Sequence, residues 1–338
     1  MRNNKIILVS LIIIIVFIVG VVLRLAKPVI FPFFLAIFLS FILSPLLDFL
    51  TRLKVPKAIS IIFILIIAFF VIYLLGSLFY STGKAFAREF PKYGQKVSSV
   101  VTTIQDKINR QDWGFIDWIG QFDLTKVSSF IFSSLGTFLS FLLNLFLIFV
   151  FLIFILAGRG KTKEKILKSF EVDRSRKILN VFENIDKQIQ RYLAIKTVVS
   201  FLTGFIVTFI LMAFGVDFAI IFGFFAFILN YIPTIGSIIA TAFPVIIACF
   251  QFETLWPAFW ILIILISIQQ IMGNFVEPRF MGRGLNLSPL VVLFSLFFWG
   301  WLWGIIGMIL AVPIAAIIKI ICDNIPSLKF VGIFMSRD

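Results

Sequence analysis

From Ala58 to Tyr80 the chain runs without a charged residue. Comparable apolar runs cover Ile6–Leu23, Val29–Leu47, Leu135–Leu156, Tyr192–Phe214 and Trp256–Phe275, with Tyr192–Phe214 interrupted only by Lys196. About 18 uninterrupted apolar residues are enough to cross a hydrocarbon core. Lipid offers no water to the backbone, so a spanning segment must pair its N–H and C=O groups internally, as helices and closed barrels do. Continuous rather than alternating runs favour helices. Composition agrees: 61% of residues are hydrophobic and 14% charged, against about 45–50% and 25% in soluble domains. The expected fold is an all-α polytopic membrane protein with about eight transmembrane segments. Two of these read as broken or re-entrant helical hairpins, and an amphipathic helical insertion follows the third span.

The net charge of +14 follows the positive-inside rule, by which basic residues collect in cytoplasmic links. No module of interleaved basic and aromatic residues points to nucleic acid. Cys249 and Cys322 are isolated in apolar segments and read as small buried hydrophobes. The chain has no histidine, which removes His-ligated zinc and every triad that needs an imidazole. No cofactor or metal site is expected.

In chain order, residues 1–80 carry spans one to three. The first reads as a retained span rather than a cleaved signal, because Arg24, Lys27 and Pro28 follow it with no small-residue cleavage site. Segment 81–134 is expected to leave the membrane as an amphipathic helix, with Phe86, Phe90, Tyr93, Val97, Val100, Ile104 and Ile108 on one face. That face suits either the protein and headgroup surface or a contact between protomers. Span four is 135–157. Residues 158–191 carry ten basic and five acidic residues, a net of +5, and should be cytoplasmic. This orientation makes the N-terminus cytoplasmic too. Within that stretch Ile178, Val181, Phe182, Ile185, Ile189 and Leu193 repeat at helical spacing, which fits a helix resting on the inner leaflet. Lys196 is expected to snorkel to the interface, and Asp217 to cap the following helix. The transport core is 192–322, with hairpins at 218–250 and 288–321, and 323–338 is a cytoplasmic tail.

Polar groups and chain breaks inside apolar sequence are functional candidates, because lipid penalises both. In the first hairpin these are Asn230, Pro233 and Gly236. In the stretch Gln269–Pro313, an apolar helix carries Gln269, Gln270, Asn274 and Glu277 and is expected to stop at Pro278. The spacing i, i+4, i+7 places Gln270, Asn274 and Glu277 on one face. Gly304, Gly307 and Pro313 break the second hairpin. The block Ile235–Ala240 aligns with Ile306–Ala311, each followed by a proline (Pro244, Pro313). Corresponding breaks in two halves are the best sequence pointer to a transporter site. The positive-inside count puts the Arg279/Arg283 link inside, which places Glu277 near the inner face with those arginines as its nearest cations.

These residues resemble the AI-2E family of bacterial membrane permeases. Its pattern is met by Gln270, Asn274, Pro278, Gly282, Leu287, Pro289, Gly304, Gly307, Ala311 and Pro313, and a second pattern by Ile232, Pro233 and Gly236, with Ser237 where proline is frequent. The resemblance covers nearly the whole chain. It implies export of a small polar solute such as the quorum-sensing signal autoinducer-2, by an elevator-like or alternating-access movement. It also implies a homo-oligomer, for which a pentamer is one arrangement, in the inner membrane. Other members imply sodium or lithium/proton exchange, for which Glu277 is the natural proton site. A channel-like scaffold is a third reading. An enzyme is disfavoured, because neither H-E-x-x-H nor G-x-S-x-G occurs. The expected partners are the lipid bilayer, the polar solute and Na⁺ or H⁺.

Overall fold

The structure, a computed structural model, describes residues 18, 20–74, 76–77, 81, 138–159, 161–281 and 287–337. Most of the first expected span, all of segment 81–134 except Ser81, and Gly282, Arg283 and Gly284 lie outside the described residues. The helices are α1 (Lys27–Arg52), α2 (Lys57–Leu74), α3 (Phe138–Gly158), α4 (Lys161–Ser169), α5 (Val172–Ala213), α6 (Ala219–Leu229), α7 (Ile235–Gln251) and α8 (Trp256–Ile271). A π turn (Met272–Val276) leads into α9 (Glu277–Met281). Then come α10 (Pro289–Trp303), α11 (Ile305–Asn324) and, after a 3₁₀ turn, α12 (Lys329–Phe334). Among the described residues, five stretches are long and apolar enough to cross a membrane: α1, α2, α5, Trp256–Phe280 and α11. The protein is an all-α polytopic membrane protein.

Proline and hydroxyl side chains cooperate in these helices. Prolines stand in the first turns of α1, α8 and α10, where a missing N–H costs nothing. Pro45 lies inside α1 and removes the donor that would reach the Phe41 carbonyl. The Ser44 hydroxyl donates to that carbonyl at 2.9 Å, so the buried acceptor stays paired.

The chain divides into two compact units: Met1–Leu65, Leu143–Val198 and Val276–Asp338 form one, and Ile66–Leu142 and Val199–Phe275 the other. In the first unit Ala36, Leu47, Ile61, Ile64, Ile148, Leu152 and Leu156 join α1, α2 and α3. Ile189, Tyr192 and Leu193 of α5 meet Ala316 and Ile320 of α11, with Phe38, Phe41 and Ile42 of α1 against them. Trp303 is buried among Phe31, Phe34, Phe298 and Trp299. In the second unit, Val207 and Leu211 of α5, Phe222 and Ala226 of α6, Ile247 of α7 and Ile261 and Leu265 of α8 form one core.

Several expectations are corrected. The basic stretch does not end before a separate span: α5 is one helix of 42 residues. The face containing Ile185, Ile189 and Leu193 is packed on α1 and α11 rather than laid on a leaflet. Pro278 does not stop its helix, which continues to Met281. The π turn explains why. A proline at 278 lacks the N–H that an α-turn would send to Asn274, and a wider turn at that point absorbs the loss. Asp217 does not hold the cap position of α6, which is Phe218 at φ 61, with no side-chain cap. α11, at 20 residues, is a full-length helix rather than a short one.

The two hairpins share a local design. Thr234 (φ 58) precedes α7 and Gly304 (φ 73) precedes α11. A Cβ on Gly236 would lie 1.8 Å from the Leu229 carbonyl oxygen, and one on Gly307 would lie 1.9 Å from that of Trp299. In each hairpin the second helix therefore meets the last turn of the first through a glycine. A backbone carbonyl cannot swing aside, so Gly236→Ala and Gly307→Ala should each lower the melting temperature in detergent by several degrees. Gly273→Ala, with nothing within 4 Å of the added carbon, should leave it within a degree or so, since surface changes away from such features are near neutral.

Candidate functional site

The most costly polar contact in the first unit joins α5 to α9. The Lys196 ammonium donates to both carboxylate oxygens of Glu277, at 2.7 and 2.8 Å. Their side chains are only 7% and 20% exposed. Lys196 thus does not snorkel, and Glu277 takes Lys196, not Arg279 or Arg283, as its ion-pair partner. Lys196 was legible in one respect: it follows Ile189 and Leu193 at i+7 and i+3 and so shares their inward face.

Asp186 of α5 is held by Arg159, just past the end of α3, at 2.7 Å. Lys196 follows exposed Arg191 by five residues, about 7.5 Å of helix. Glu277 stands three residues before the end of the apolar stretch Trp256–Phe280, with exposed Arg279 two residues on. Leu193, less than a turn before Lys196, belongs to the cluster that packs with Phe38, Phe41 and Ile42 of α1 and with Ile320 of α11. Pairing stops each ion from being stranded, and removing one partner of a buried pair typically costs about 3–5 kcal/mol.

The same unit carries the second hairpin. Gly304, exposed, has φ 73 and ψ −147, close to a backbone region that is essentially restricted to glycine. The Lys27 ammonium lies 3.4 Å from the Trp303 carbonyl, so this turn is level with the charged start of α1 rather than with the ion pair. Pro313 is buried inside α11, and the Ser295 hydroxyl donates to the Ala311 carbonyl at 2.8 Å, fastening α10 to α11.

The second unit holds the amides. Asn230 ends α6, and its Nδ2 donates to the Ser200 hydroxyl at 2.9 Å. Ser200 is fully buried, a partner that sequence did not flag. Half-buried Pro233 sits in the turn that follows, before Gly236. Gln269 is half-buried on α8. Asn274 donates its Nδ2 to the Gln270 amide oxygen Oε1, and both residues are exposed. The face expected to unite Gln270, Asn274 and Glu277 is therefore divided. The two amides bond each other and the carboxylate bonds Lys196, because helical register does not run unchanged through a π turn. Pro278 lies just beyond that turn.

Among the described residues no group of three or more His, Cys, Asp or Glu could hold a metal ion. What the groups offer is hydrogen bonding of both senses and one self-neutralised ion pair, all on apolar helices. Fold and site together define the class to which membrane transporters belong.

The family model described as AI-2E family transporter matches residues 11–327. A Haemophilus influenzae protein that carries a provisional transport name is 33% identical over 314 residues, covering 90% of this chain and 89% of that one. A similarly named Borreliella burgdorferi protein is 32% identical over 315 residues, covering 92% and 86%. The AI-2 transport protein TqsA of Escherichia coli is 31% identical over 319 residues, covering 93% and 91%. The chain belongs to the AI-2E family of transporters. The family and these relatives are named for transport, not for enzymatic activity.

The ion pair makes a stability prediction. Lys196→Met strands a buried carboxylate and should lower stability by about 3–5 kcal/mol, whereas Lys196→Met/Glu277→Gln should recover most of that. Melting temperatures of both variants in one detergent check it; a double variant that melts no higher than Lys196→Met would show that the Glu277 charge does not depend on Lys196.

Proposed function

We propose that this chain is a secondary transporter that exports a small polar solute such as autoinducer-2 across the inner membrane by an alternating-access, elevator-like movement. The observation that carries the reading is the largely buried Lys196–Glu277 ion pair in a protein of a transporter family. Such a pair adds little net stability over an apolar replacement, and ionisable groups inside the helix bundle of a membrane protein usually mark a transport pathway. The amides of Asn230, Gln270 and Asn274 can each donate and accept, which suits hydroxyl and carbonyl groups of a neutral solute. Around the hairpin glycines Gly236, Gly304 and Gly307, backbone groups at helix ends supply partial charges. Pro233 stands in the turn of the first hairpin, Pro278 just beyond the π turn and Pro313 inside α11. Gln269 adds a further amide on α8. No G-x-x-x-x-G-K-[ST] occurs in the sequence, so an ion gradient or the solute's own gradient would drive movement.

A second reading is sodium or lithium/proton exchange, and the burial of the Glu277 carboxylate is what favours it. A sodium gradient across proteoliposomes would then change the internal pH without any organic solute present.

Efflux of labelled autoinducer-2 from proteoliposomes tests the first reading. The parent protein should accelerate efflux. Asn274→Ala and Asn230→Ala should each slow it about ten-fold, the loss of one well-placed hydrogen bond. Parent vesicles no faster than empty ones would reject this solute. Equal rates in parent and variants would reject the amides.

A further inference from the structure

We propose that α12 is an interfacial helix, fastened to the end of α11 so that its apolar face lies in the headgroup boundary of a lipid leaflet. Six residues are too few to hold a helix by their own hydrogen bonds, so the contacts that fix α12 decide which way it faces. The 3₁₀ turn Pro326–Leu328 folds the chain back after α11. Lys319 of α11, only 5% exposed, then meets α12. Its ammonium donates to Asp323 Oδ2 at 2.8 Å, to the Ser336 hydroxyl at 3.0 Å and to the Gly332 carbonyl at 3.3 Å. The Ser336 hydroxyl donates to the same Gly332 carbonyl at 3.0 Å. The backbone N–H of Ser288 donates to the Met335 carbonyl at 2.8 Å. A Cβ on Gly332 would collide with the Asp323 carboxylate. The glycine side of α12 is therefore its docked side.

The other side is apolar. Phe330, Ile333 and Phe334 have the i, i+3, i+4 spacing of one helical face and are 61%, 61% and 83% exposed. Gly332 is two residues from each phenylalanine, about 160° around the helix, so docking the glycine turns both rings outward. The level of α12 decides what they meet. α11 is long and apolar enough to cross a membrane, and Lys319 stands five residues before its last residue, Asn324, about 7.5 Å of helix. Held at Lys319 and Asp323, α12 lies beside the last turns of a spanning helix, where hydrocarbon gives way to headgroups. Exposed Lys329 and Arg337 bracket its sequence, and such long cationic side chains reach the headgroup level from an apolar surface. An apolar face with cations at its edges is the composition of helices that lie in the plane of the interface.

The test uses the full-length chain in vesicles of phosphatidylglycerol and phosphatidylcholine, with a nitroxide spin label on Phe330→Cys and, separately, on Phe334→Cys. Both positions are exposed, so the substitutions leave the fold intact. Cys322 is buried and Cys249 half-buried, and parent protein treated with the same label measures their background. Power saturation compares relaxation by oxygen, which concentrates in lipid, with relaxation by a nickel chelate, which stays in water. Both labels should relax more strongly with oxygen than with nickel. Stronger relaxation by nickel would put the face in water, and labels reached by neither would put it against protein, a second copy of the chain included. Either result overturns the proposal. The readout needs no transport, so it stands or falls apart from the transporter reading.

Discussion

A buried lysine ammonium and a largely buried glutamate carboxylate between the helices of a membrane protein cannot be left apart. Each alone in hydrocarbon or in a dry core would cost several kcal/mol. Meeting at 2.7 Å, they fix which face of α5 turns inward and how α9 approaches it. The arrangement of the first unit follows. Ile189 and Leu193 share the Lys196 face and pack on α11, and α11 in turn carries the hairpin that closes on Trp303. The pair thus settles helix rotation as well as charge.

The backbone obeys the same rule as the side chains. At two prolines inside helices, a nearby hydroxyl or a wider turn absorbs the lost donor. Ser44 serves Pro45, and the π turn at Met272–Val276 accommodates Pro278. The hairpin glycines serve another need. Gly236 and Gly307 let one helix start directly against the carbonyl that ends another, a distance no side chain allows.

Much of this could be read from sequence because lipid leaves few options. Long apolar runs mean helices, and glycine and proline inside them mean breaks. Both hairpins followed from that logic. The repeat at Ile235–Ala240 and Ile306–Ala311 rested on six residues, and the matching glycine contacts give it a structural counterpart. What stayed hidden depends on partners distant in sequence. Lys196 and Glu277 are 81 residues apart, and local spacing pointed instead to Arg279 and Arg283. Pro278 looked like a stop because pattern rules do not anticipate a π turn. Ser200 looked like an ordinary helix residue until Asn230 was found beside it.

If the ion pair were there only to hold helices, a neutral pair of similar shape would serve as well. If it belongs to the transport path, the same replacement would leave a folded protein that does not transport. Solute efflux by Lys196→Met/Glu277→Gln in proteoliposomes therefore separates the two. A variant that melts near the parent but carries labelled solute no faster than empty vesicles is the predicted result. Parental efflux from that variant would contradict a role for the pair in transport.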